Sequence, residues 1–99
     1  MFKLLMSWNI RPGREDEYFE FIIREFGPRL VKLGVRPTDA WYTQYGEGPQ
    51  ILTGAVAEGM ENLQSALASG EWRKLKKELL TYVTDYRQKI VRASGGFQL

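Results

Sequence analysis

Aromatic rings with polar tips are the side chains of this 99-residue chain best suited to chemistry. Trp8 lies in an alternating apolar segment, and Trp41, Tyr42 and Tyr45 cluster around Gln44. A ring next to an amide or hydroxyl can stack on a flat organic molecule and orient it with one hydrogen bond. The same rings can instead fill a small core or an interface, where aromatic residues are enriched. Two acids stand near these segments, Asp39 and Asp85. Either becomes a general base if burial raises its pKa, but nothing in the sequence brings them together, and acids are ordinarily solvated.

What is missing narrows the chemistry further. The chain has no cysteine and no histidine. That removes disulfides, thiol nucleophiles and thiolate metal sites, along with the commonest general base and metal ligand. Asp16, Glu17 and Glu20 follow no recognised ligand spacing, so no metal is expected. Gly46, Gly48 and Pro49 form a turn rather than a phosphate loop, because proline lacks the N–H such a loop needs. No cofactor is expected on these grounds.

The elements that must position these residues are legible from periodicity. Phe2, Leu4, Met6, Trp8 and Ile10 alternate with Lys3, Leu5, Ser7 and Asn9, the pattern of a strand, which Arg11-Pro12-Gly13 ends. Glu15, Asp16 and Glu17 suit a first helical turn. Phe19, Ile22, Ile23, Phe26, Leu30 and Leu33 make a helical stripe, with Tyr18 and Phe21 at its edge. Pro28 predicts a kink or break near Gly27, and Gly34 a stop. Trp41 to Gly46 and Gln50 to Ala57 read as a hairpin. Met60, Leu63 and Leu67 mark a short helix. Ser69 caps another, with Trp72, Leu75, Leu79, Tyr82, Val83 and Tyr86 on one face. Lys89 to Ser94 reads as the last strand.

Residues 1–99 therefore form one α+β domain of ferredoxin-like βαββαβ order, a four-stranded antiparallel sheet with helices on one face. Its 43% apolar content and net charge of +2 are those of a folded globular chain with no strong pull toward polyanions. Arg73, Lys74, Lys76 and Lys77 read as a solvated helix face. RNA-recognition domains share this order but carry stacking aromatics on the third strand. Gln50 to Ala57 has none, so no nucleic-acid partner is expected. No apolar run approaches the ~20 residues of a membrane-spanning helix, and Met1 to Ile10 is too mixed for a signal peptide. Cytoplasmic location, away from membranes, is the expectation.

The sheet also looks two-sided. Leu5 lies in the polar phase of the first strand, Leu52 and Val56 oppose Ile51 and Ala55, and Trp41 and Tyr42 face opposite ways. Helices cover one face only. A homodimer joined through the other face would bury what remains.

The opening from Met6 to Glu17 and the helix start Ser69-Gly70-Glu71-Trp72 resemble the dimeric α+β barrel superfamily, which includes antibiotic-biosynthesis-type monooxygenases and NIPSNAP-like proteins. The similarity covers about residues 2 to 94. It implies two ferredoxin-like subunits joined through their sheets, each with an apolar pocket between sheet and helices. Haem-degrading members use an asparagine, a tryptophan and a histidine at positions that fall here on Met6, Ala66 and Lys76, so haem breakdown by that route is rejected. The remaining expectation is a pocket for a small apolar or aromatic ligand. Met6, Trp8, Tyr42, Gln44 and Trp72 are the candidate contacts. A catalytic version would be a cofactor-independent monooxygenase or isomerase with Tyr42 orienting the substrate. The alternative is a non-catalytic dimerisation module whose aromatics are all core and interface. A cavity separates the two.

Overall fold

A computed structural model describes residues 1–42 and 48–92. Gln44, Tyr45 and the rest of residues 43–47, and the end of the expected last strand, lie outside the described residues. Four antiparallel strands form one sheet in the order β2-β3-β1-β4: β1 (Phe2–Ile10), β2 (Arg36–Tyr42), β3 (Ile51–Ala57) and β4 (Val83–Arg92). The helices are α1 (Glu15–Phe21), which runs through a π-helical turn (Ile22–Phe26) into α2 (Gly27–Lys32), then α3 (Met60–Ala68) and α4 (Gly70–Leu79). This is the ferredoxin-like α+β fold. No helix among the described residues is long and apolar enough to cross a membrane.

β1 is central because its alternation is complete. Leu4, Met6, Trp8 and Ile10 are buried beneath the helices, while Lys3, Leu5, Ser7 and Asn9 share the opposite face. Burying one phase locks the register, since a one-residue slip would turn every ring and branched chain to the wrong side. Leu63 from α3, and Trp72, Leu75 and Leu79 from α4, complete this core.

The first helical arm continues through Pro28 without the expected break. Residues from Phe21 to Gly27 keep helical dihedrals. The Gly27 N–H bonds the Ile22 carbonyl five residues back, so the ladder has already widened where Pro28 lacks a donor. The wide turn also shifts the buried phase. Tyr18, Phe21, Phe26 and Leu30 face inward, while Phe19 and Ile23, placed on the inner stripe by simple periodicity, are exposed. The arm ends as expected at Gly34, whose φ of +84° suits glycine. There the Gly34 N–H bonds Val31 and the Val35 N–H bonds Leu30, at 3.0 and 3.1 Å. Chain reversal there starts β2 at Arg36, five residues before the expected Trp41. Pro37 is tolerated because β2 is an edge strand.

The last helix is shorter than its apolar stripe suggests. It stops at Leu79, and Tyr82, Val83 and Tyr86 belong to the following turn and to β4. A register shift opposite Trp8 places an extra residue in β4, with Asp85 at φ 55°. That extra residue puts Val83 and Tyr86 on the same face three positions apart, which imitates helical spacing. Ser69 does cap α4: its Oγ accepts the Trp72 N–H at 3.1 Å.

Removing bulk from this core carries a defined cost. Leu63 is wholly buried, so Leu63→Ala should lose about 2–5 kcal/mol, whereas Leu80→Ala, at a 38% exposed position, should change stability by about 0.5 kcal/mol or less. Urea unfolding with an unchanged m value is the check.

Candidate functional site

Small residues open a gap between the sheet and the first helical arm. Ala40 from β2, Thr53 and Ala55 from β3, and Gly27 from α2 bring no bulk to it, leaving a cavity of about 310 Å³. Met6, Trp8, Tyr18, Ile22, Phe26 and Leu30 are the larger side chains of the first strand and the helical arm that line it.

Trp8 is held on three sides. Its ring meets Tyr18 and Phe26 edge-on, at centroid distances of 6.4 and 5.9 Å, and stacks on Tyr86 at 5.9 Å with planes 9° apart. The Trp8 indole N–H donates to the Tyr18 hydroxyl at 2.9 Å. Burial pushes the Tyr18 hydroxyl up to about 12, and the Trp8 hydrogen bond works against that rise. Tyr86 is raised as well, by burial alone, and its hydroxyl donates to Gln88 Oε1 at 2.7 Å.

The other hydroxyls on the cavity wall are committed to backbone. Thr53 donates to the Asp39 carbonyl at 2.8 Å and Thr38 to the Gly54 carbonyl at 3.2 Å. Asp39 reaches the lining, but its carboxylate pairs with Lys3 at 3.1 Å, and Lys3 stands on the face away from the helices. Among the described residues, the Tyr18 hydroxyl accepts from Trp8 and donates to no protein group. Among the described residues the site is therefore an apolar chamber with a protonated phenol and no carboxylate facing inward.

Met6 and Trp8 line this cavity; Tyr42 and Trp72 do not. Trp72 is core, 6.4 Å from Phe26. Tyr42 stands half-exposed at the sheet end, where its hydroxyl accepts from Gln50. Gln50 in turn accepts the Ile10 N–H and donates its own N–H to Asn9, and Asn9 donates to Asp85. That network ties loop to strand. Asp39 and Asp85, both considered as bases, lie on opposite edge strands. Tyr18, which helical periodicity places at the edge of its stripe, supplies the phenol of the cavity wall. The signal for it was the tight Arg11-Pro12-Gly13 turn, which sets the first helical turns beside the end of the strand that carries Trp8.

No family model matches the chain, and no curated protein matches it in sequence. Its fold, however, is shared with solved structures across nearly the whole chain. An uncharacterised NIPSNAP domain protein from Burkholderia xenovorans aligns with a TM-score of 0.71 at 11% identity, covering 99% of both chains. A candidate antibiotic biosynthesis monooxygenase from Deinococcus radiodurans gives 0.75 at 11% identity, over 100% of this chain and 98% of that one. An ethyl tert-butyl ether d (EthD) family protein from Bacillus halodurans gives 0.69 at 17%, over 95% and 100%. The fold is thus that of the NIPSNAP and antibiotic-biosynthesis-monooxygenase proteins, the group the sequence resembles.

The raised Tyr18 pKa has a stability consequence. Between pH 10 and 12 the unfolded chain has lost this proton while the folded one keeps it, so stability falls as pH rises through that window. The wild type should lose about 2 kcal/mol more than Tyr18→Phe across it. Chemical denaturation at pH 9 and pH 11.5 reads the difference.

Proposed function

We propose that this chain binds a small apolar or aromatic molecule in the cavity between sheet and first helical arm, and that it acts as a homodimer joined through the uncovered sheet face. The cavity carries the first half. Cores pack to near-crystalline density, and here small side chains from both walls hold open about 310 Å³ beside the Tyr18 hydroxyl, whose proton no described protein group accepts. That is the composition of a ligand site at the lower end of the usual size range. Binding is favoured over catalysis because the phenol stays protonated and, among the described residues, the one carboxylate at the wall is turned away to Lys3.

The uncovered face supports the second half. Trp41 and Leu52 are cross-strand partners on that face, 50% and 39% exposed, with Leu5 and Val91 further along it. Two such sheets packed face to face would take these side chains out of water.

Native mass spectrometry of gently purified protein tests both halves. The expected species is a dimer carrying an aromatic or aliphatic adduct, and Ala55→Leu, which fills the cavity, should lose the adduct with thermal stability kept or raised. A clean dimer with no adduct and no probe binding would leave a structural module. Leu52→Glu should convert the dimer to monomer at micromolar concentration by light scattering, and an unchanged mass would put the interface elsewhere.

A further inference from the structure

We infer that the Trp8–Tyr18 pair makes the cavity selective for an uncharged aromatic molecule bearing a hydrogen-bond acceptor, a carbonyl or ether oxygen, which receives the Tyr18 hydroxyl proton. The inference rests on the cavity being a ligand site and names what that site takes.

The argument is one of satisfaction. The Tyr18 oxygen already receives the Trp8 N–H at 2.9 Å, so its own proton is what remains to be used. A buried donor with no partner carries a desolvation cost, which an acceptor on the ligand would remove. The indole N–H also polarises the phenol, since hydrogen bonds in a chain strengthen one another in low dielectric. Burial keeps the group protonated across the ordinary pH range, so the site presents a donor and not a phenolate.

Charge is disfavoured by the same inventory. Thr53 and Thr38 have given their hydroxyl protons to backbone carbonyls. Lys3 crosses Gly54 on the far side of the sheet to hold the Asp39 carboxylate there, so no ionised side chain of the described lining faces inward. An ionic ligand would be buried without a counter-charge. Edge-on contacts of Trp8 with Tyr18 and Phe26 leave ring faces and edges as the walls, which suits a flat aromatic guest.

Three ring-matched probes test this on the intact protein: acetophenone, α-methylstyrene of the same shape without the acceptor, and benzoate. Dissociation constants come from ligand-observed NMR, with Ala55→Leu as the control that places binding in the cavity. Tyr18→Phe should weaken acetophenone about tenfold and leave α-methylstyrene within about twofold, with benzoate showing no cavity binding. The assigned Trp8 indole N–H signal supplies a second readout that needs no variant. It should move further downfield with acetophenone than with α-methylstyrene, because a phenol that donates is a better acceptor. Equal losses for the two neutral probes on Tyr18→Phe, together with equal indole shifts, would overturn the acceptor preference while leaving the cavity a ligand site. Benzoate binding that Ala55→Leu abolishes would overturn the preference for uncharged molecules. If neither neutral probe binds, or Ala55→Leu leaves their affinities unchanged, the ligand-site reading itself fails, and this inference with it.

Discussion

The buried indole of Trp8 is the constraint to which much of the structure answers. A tryptophan near the end of a central strand brings one of the two largest side chains of the core, and one N–H that needs an acceptor, out of water. Tyr18 supplies the acceptor, which requires α1 to begin close to the end of β1. Arg11, Pro12 and Gly13 make that return: the Arg14 N–H bonds the Arg11 carbonyl at 3.0 Å, and Gly13 takes a φ of +85°. On the other edge of β1 the extra residue at Asp85 turns the Tyr86 ring flat against the indole. Below it, the π turn brings Phe26 into phase. Three irregularities in three elements therefore converge on one side chain, where an idealised strand-and-helix geometry would serve a smaller residue.

The two faces of the sheet have been given different tasks by residue size. Toward the helices, large side chains fill the β1–β4 half and small ones the β2–β3 half, so the core is dense on one side and open on the other. Away from the helices, Gly54 admits the Lys3 side chain across the strand to reach Asp39; a Cβ there would run into both. This keeps the one carboxylate near the cavity wall on the outer surface. The apolar character of the chamber is thus partly the work of a residue on the opposite face.

Much of this was legible in the sequence and some was not, for identifiable reasons. The nine-residue alternation of β1, the glycine stop at Gly34 and the serine cap at Ser69 are local signals, and each appears where its chemistry requires. The π turn and the β4 bulge are not local. Each inserts one residue to satisfy a tertiary contact, and one inserted residue defeats a periodicity argument: it moved Phe19 and Ile23 to the wrong side and made Val83 and Tyr86 look helical. Strand β2 was misplaced because its first half, Arg36-Pro37-Thr38, has poor strand character and pairs only as an edge. Of the candidate contacts, Met6 and Trp8 line the cavity because strand parity is robust; the place of Tyr18 is not legible from periodicity because it depends on the phase of the arm that the π turn alters.

The shared fold leaves the chemistry of the chamber to be set by few residues. At 11–17% identity a common backbone says nothing about which side chains face the cavity. Here Thr38, Thr53 and Asp39 of the strands contribute shape, because their polar atoms are turned to backbone or to the outer face, while among the described residues the hydroxyl whose proton is unused comes from the helix. Because the Tyr18 hydroxyl also accepts the Trp8 indole N–H, it can be exchanged without cost to the central strand only for a group that still accepts. The cavity lining and the uncovered face lie on opposite sides of the same strands, so side chains on one can change without altering those on the other.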